Sequence, residues 1–108
     1  MIILMNAKIK DYKANVEKDS NCVLTPREVE YLSLIALGYH NTQIAEILEV
    51  SYYTVKKTLE LIFNKLNASD RASAVSIGYI HQILNIKVLT SIAVKYEIKN
   101  TQIALIKK

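Results

Sequence analysis

Apolar residues in the middle of the chain recur at helical spacing twice in quick succession. Ile44, Ala45, Ile47 and Leu48 share one face, and Val55, Leu59, Ile62, Phe63 and Leu66 share another after a break at Glu49, Val50 and Ser51. A break this short is a tight turn, with Val50 plugging the corner and the Ser51 hydroxyl capping the next helix. Upstream, Thr25-Pro26-Arg27-Glu28 reads as a capping box with proline at the first helical position. Val29, Leu32, Leu34, Ile35 and Ala36 then supply core, and Gly38 ends that helix as a left-handed cap. Asn41 caps the next one, with Thr42 and Gln43 in its first turn. Downstream, Ser69 or Asp70 can cap a fourth helix carrying Ala72, Ala74, Val75, Ile77, Ile80 and Ile83 to about Leu84. The pattern predicts an all-α, tetrahelical helix-turn-helix bundle over residues 24–84.

The flanks are shorter and less regular. Ile2, Ile9, Tyr12 and Val16 fall near helical spacing among lysines, which predicts a short amphipathic helix within residues 1–18, and KDSNCV from Lys18 to Val23 reads as a linker. In the extension, residues 85–108, Ile92, Val94, Tyr96 and Ile98 alternate with Ala93, Lys95, Glu97 and Lys99 as in a strand. The run from Thr101 to Ile106 is β-prone, so a hairpin fits. Ile86, Leu89, Ile92, Ala93 and Tyr96 fit a helical stripe equally well, and the sequence leaves both forms open.

The second helix of the pair presents Tyr52, Tyr53, Thr54, Lys56, Lys57 and Glu60 away from its apolar stripe. Hydroxyls and ammonium groups suit phosphate oxygens and base edges, so this helix is a candidate DNA reader. The residues Leu24-Thr25-Pro26-Arg27-Glu28, Gly38, Asn41, Ile44-Ala45, Val50-Ser51, Thr54-Val55-Lys56, Lys65-Leu66, Arg71-Ala72 and Ala74-Val75 resemble, in order and spacing, the LuxR/GerE family of bacterial DNA-binding domains. The resemblance implies DNA contacts from Asn41, Thr42, Tyr52, Tyr53, Thr54, Lys56, Lys57 and Lys65. Lys56 would meet a phosphate, Tyr53 and Lys57 base edges, and Asn41 and Thr42 the backbone beside the first turn of the scaffold helix, although capping alone also explains Asn41. Arg27 fits a phosphate contact or an exposed first-turn charge. The resemblance further implies an ion pair between Glu28 and Arg71, and a homodimer through the last helix with Val75, Gly78, Tyr79 and Gln82 at the interface. Gly78 either lets a partner approach closely or is an unfavourable helix residue with no such role.

Three residues depart from the family pattern. Thr58, Leu59 and Leu61 stand where the family carries histidine, arginine and a polar residue. The departure predicts exposed leucines that need a cover, from Ile2-Ile3-Leu4, from the C-terminal tail or from a partner.

Charge tempers the DNA reading. The chain carries a formal +4, but residues 24–84 hold five basic and six acidic side chains, and the excess sits in the lysines of the tail. Non-specific affinity for DNA follows the number of phosphates neutralised, so the central segment should bind weakly by itself. The single Cys22 forms no internal disulfide, and no Cys/His spacing suits zinc. There is no Gly-rich phosphate loop, nucleophile–base pair or carboxylate cluster, and no stretch of membrane-spanning length. These features predict a cytoplasmic, non-enzymatic protein without metal or cofactor. The 23 residues before Leu24 are too few for a receiver domain, so control by phosphorylation of an attached receiver is not expected. The expected function is a sequence-specific transcriptional regulator that binds double-stranded DNA as a homodimer. The alternative is an interaction module of the same fold that modulates RNA polymerase or another regulator, which the near-neutral core and the two leucines favour.

Overall fold

The computed structural model describes residues 24–98. They form five helices, α1 (Pro26–Ala36), α2 (Asn41–Leu48), α3 (Tyr52–Leu66), α4 (Arg71–Ile80) and α5 (Ile86–Lys95). The expected N-terminal helix, the linker and the run from Thr101 to Ile106 lie outside the described residues. The all-α helix-turn-helix fold is present, with the expected four helices within residues 24–84 and a fifth in the extension.

Local chemistry sets most of the boundaries. The Thr25 hydroxyl accepts from Glu28 N at 3.2 Å and the Glu28 carboxylate accepts from Thr25 N at 2.8 Å, completing the capping box. Gly38, at φ +95°, reverses the chain after α1, a conformation that costs a residue with a Cβ. Ser51 Oγ accepts from Thr54 N at 3.0 Å and starts α3. Asp70, the second of the two expected caps, opens α4. At α2 the expected cap is displaced by one residue: Asn41 is already helical, and His40 is the N-cap, its backbone N–H donating to Gln43 Oε1 at 2.9 Å. Asn41 Oδ1 is thereby free to accept from Arg71 Nη1 at 2.6 Å.

The core gathers the apolar stripes of all five helices, with Leu32, Leu34, Ile44, Val55 and Ile62 fully enclosed. Leu59 belongs to it at 3 % exposure, which overturns the expectation that it faces outward. The helical stripe of Val55, Leu59 and Ile62 prevails over the family's polar position, because the three lie on one side of the helix. Leu61, on the other side, is half exposed as expected.

The fourth helix stops at Ile80 rather than near Leu84. Gln82 turns left-handed at φ +63°, and the amides of Ile83 and Leu84 fold back to donate to Gly78 O at 2.9 and 3.1 Å. This return drives the Leu84 side chain inward, where a Cβ on Gly78 would meet Leu84 Cδ1 at 2.9 Å and Leu32 Cδ2 at 3.0 Å. Gly78 therefore admits the chain's own leucines, which gives the glycine a packing role within the bundle.

The open alternative for the tail resolves as helix over Ile86–Lys95. Asn85 caps it, accepting from Val88 N at 2.8 Å, and Leu89, Ile92 and Ala93 enter the core as the helix lies on α1. No strand forms among the described residues.

Candidate nucleic-acid interface

The turn between α2 and α3 is built from three residues with separate tasks. Glu49 takes the left-handed conformation at φ +56°, Val50 tucks partly into the core, and Ser51 caps α3. Fixing the turn at both ends fixes the direction in which α3 presents its outer side. That side carries Tyr52 and Tyr53, at 53 % and 66 % exposure, with Thr54, Lys56 and Lys57 also exposed. Lys57 Nζ lies 5.6 Å from the Tyr53 ring centroid and 3.6 Å from Glu60 Oε2. Lys56 makes no ion pair among the described residues. Thr42 is exposed in the first turn of α2, at the end of that helix away from the turn, about 12 Å along its axis.

The structure separates Lys65 from this group. Its Nζ donates to both carboxylate oxygens of Glu28 at 2.8 and 2.9 Å, tying α3 to α1. This is the ion pair that resemblance assigned to Arg71. Arg71 instead donates to Asn41 Oδ1 and, at 2.7 Å, to Tyr39 O, holding α4 against the start of α2. Burial pushes the Glu28 carboxyl upward, but the hydrogen bonds from Lys65 and Thr25 outweigh it and hold the group below its ordinary value.

A second carboxylate organises the side of α1 under α5. Glu30 accepts from Arg27 Nη1 at 3.1 Å, from Tyr96 Oη at 2.6 Å and from Lys95 Nζ. Burial raises its pKa and these donors lower it further than burial raises it, so the net shift is downward. Arg27 also donates to Tyr96 Oη at 3.0 Å and to Leu48 O at 3.4 Å, which makes it a bracket joining α1, α2 and the end of α5. This cluster was missed from sequence. Arg27 and Glu30 stand at the i,i+3 spacing of a helical ion pair, but their partners Lys95 and Tyr96 lie in the segment whose form was open.

The pairing of Glu28 and Glu30 has an electrostatic consequence. Seven basic and seven acidic side chains cancel between Leu24 and Ile98, and Arg27, Lys65 and Lys95 are held in ion pairs. The exposed positive charge on α3 is therefore confined to Lys56 and Lys57.

The description of bacterial regulatory proteins of the luxR family, GerE, matches residues 22–77, more than half of the chain. The chain belongs to this family. The match ends within α4, so α5 lies beyond it. Among curated relatives, the response regulator protein VraR of Staphylococcus aureus, of Staphylococcus saprophyticus and of Staphylococcus epidermidis are each 40 % identical to it over 62 residues. That stretch is 57 % of this chain and 30 % of each relative, so the chain matches under a third of their length. No solved structure matches it. The family is one of DNA-binding regulators and not of enzymes. Among the described residues of this luxR-family chain, no cluster of His, Cys, Asp and Glu could hold a metal, and no helix is long and apolar enough to cross a membrane.

Proposed function

We propose that the chain is a sequence-specific transcriptional regulator that lays α3 in the major groove of double-stranded DNA and acts in the bacterial cytoplasm. The observation that carries this reading is the outer side of α3. Tyr52, Tyr53, Thr54, Lys56 and Lys57 are exposed together there, while other basic residues are drawn into ion pairs elsewhere. In this reading Lys56 and Thr54 meet phosphates, Tyr53 and Lys57 reach base edges, and Tyr52 lies along the groove wall. Thr42, with the amide of Asn41, contacts the backbone from the first turn of α2. Lys65, committed to Glu28, takes no part.

Dimerisation fits the same proposal, because two copies place two reading helices about 34 Å apart on a palindromic site. Tyr79 on α4 and Gln82 in the turn after it remain available, and Ile80, at 55 % exposure, extends their surface, with Val75 at its half-buried edge. The interaction-module alternative loses one of its supports, since Leu59 is core, and keeps the near-neutral charge and Leu61.

The test is a fluorescence-anisotropy titration of the purified chain on duplexes enriched from a random pool, at two salt concentrations. Lys56→Ala with Lys57→Ala should abolish most of the affinity and lower the salt slope by about one for each lost phosphate contact. Unchanged affinity and slope in that double variant would end the DNA-reader reading.

A further inference from the structure

The outer side of α3 carries an acidic residue that DNA binding by itself does not explain. Glu60 follows Lys57 by one helical turn, and the two side chains are exposed to nearly the same extent, 55 % and 52 %, with Nζ and Oε2 3.6 Å apart. A carboxylate turned toward DNA faces phosphate oxygens and base-edge acceptors, all of which repel it. An exposed pair at this spacing adds little to the fold. The carboxylate is favoured only where the groove offers a donor, and the donors in the major groove are the exocyclic amino groups of cytosine and adenine.

The neighbouring ammonium narrows the choice. Lys57 is a donor that suits the O6 and N7 acceptors of guanine. Three residues of helix rise about 4.5 Å, against about 3.4 Å for one base-pair step, so both side chains reach the same base pair or its immediate neighbour. A G·C pair presents two acceptors on guanine and then the N4 donor of cytosine, the complement of an ammonium followed by a carboxylate. An A·T pair also carries two acceptors, adenine N7 and thymine O4, but they lie on opposite sides of the adenine amino group, so the ammonium meets one at a time and not the adjacent pair that guanine offers. The Tyr53 ring lies close to the Lys57 ammonium on the N-terminal side, and Glu60 lies on the other, so Lys57 is flanked on both sides.

We propose that Glu60 is a specificity-determining residue: together with Lys57 it reads a guanine–cytosine edge, accepts from cytosine N4, and penalises sites that put an acceptor in that place. This rests on α3 being the reading helix.

The experiment uses the full chain as wild type, E60A and E60K, each checked by circular dichroism. Duplexes are enriched from a random pool with the wild type, and the enriched site and its single-base-pair variants are then titrated with all three proteins. The wild type should require one G·C pair per half-site, its replacement by A·T costing about five- to tenfold in affinity. E60A should lose that discrimination, and E60K should lose it while binding every duplex more tightly. An E60A protein that keeps the wild-type preference at every position overturns the proposal, as does a preference for adenine at the position that responds. A wild type that binds no duplex overturns the reading-helix assignment and the proposal with it, a result distinct from unchanged preferences on an enriched site.

Discussion

Ile92→Ala is the sharpest test of α5 as part of the bundle. Ile92 is 8 % exposed on the side of α5 that meets α1, whereas Val94, two residues on, is 56 % exposed. Truncating Ile92 removes three carbons, about 2.4 kcal/mol of transfer free energy at about 0.8 kcal/mol each. The cavity left behind brings the cost to about 2.5–4 kcal/mol. Val94→Ala takes carbons from a half-solvated site and gains some helix propensity, so its effect should stay within about 0.5 kcal/mol. A domain of this size holds about 4–11 kcal/mol in all. The Ile92 substitution should therefore lower the thermal midpoint by about 10–30 °C, at about 4–8 °C per kcal/mol. Urea unfolding followed by far-UV circular dichroism and by tyrosine fluorescence provides the measurement, the chain having seven tyrosines and no tryptophan. With α5 integral to the bundle, the two probes coincide and the urea slope is unchanged by the substitution. Two results would refute the reasoning: an Ile92 variant no less stable than the Val94 variant, or a helical signal lost in a separate early transition.

Acid should weaken the fold through Glu28 and Glu30. Both are held below the ordinary value of 4.5, burial opposing and hydrogen bonds prevailing. Their contribution is present above about pH 4.5 and is lost as pH falls through the lower folded values, so the urea midpoint should drop between about pH 5 and 3, and Glu30→Gln should flatten that fall. Gly78→Val should cost about 1–3 kcal/mol in urea unfolding, because its Cβ would crowd Leu84 and Leu32. Sedimentation of the folded variant should show unaltered association; loss of association without loss of stability would place Gly78 at the interface. Tyr96→Phe removes a hydroxyl that bonds both Arg27 and Glu30, and should cost about 1 kcal/mol while leaving DNA affinity unchanged.

The parts of the fold legible in sequence were those governed by neighbours along the chain. Thr25 with Glu28, Ser51 with Thr54 and the stripe of Val55, Leu59 and Ile62 follow from spacings of three and four residues, and the structure repeats them. Errors arose where the deciding partner is distant or the rule is statistical. Asn41 is the better capping residue by type, yet His40 takes the place, and Asn41 receives Arg71 from α4 instead. Leu59 was read correctly from its spacing and incorrectly from its family position. Gly78 gave no hint of direction, because the leucine that fills its space follows a left-handed turn at Gln82, a residue that rarely announces one. The outer side of α3 was legible as a group, but the removal of Lys65 from it depends on a carboxylate thirty-seven positions earlier. The tail could not be assigned because its alternating and helical stripes use the same residues, and only the surface of α1 decides between them.

The cancelling charges between Leu24 and Ile98 bear on how such a regulator would find its site. With at most about two phosphates neutralised per reading helix, a fourfold rise in salt would cost about tenfold in affinity for each helix engaged, about a hundredfold for a dimer, against the about 10³–10⁵ lost by proteins that grip six to ten. Random chromosomal sequence is then a poor trap, and residence on it is brief. On the proposed function, the search would proceed by many short encounters through solution more than by long travel along the duplex. Fewer copies would then be sequestered on wrong sequences, and occupancy of an operator would respond more to the number of copies present than to the ionic state of the cell.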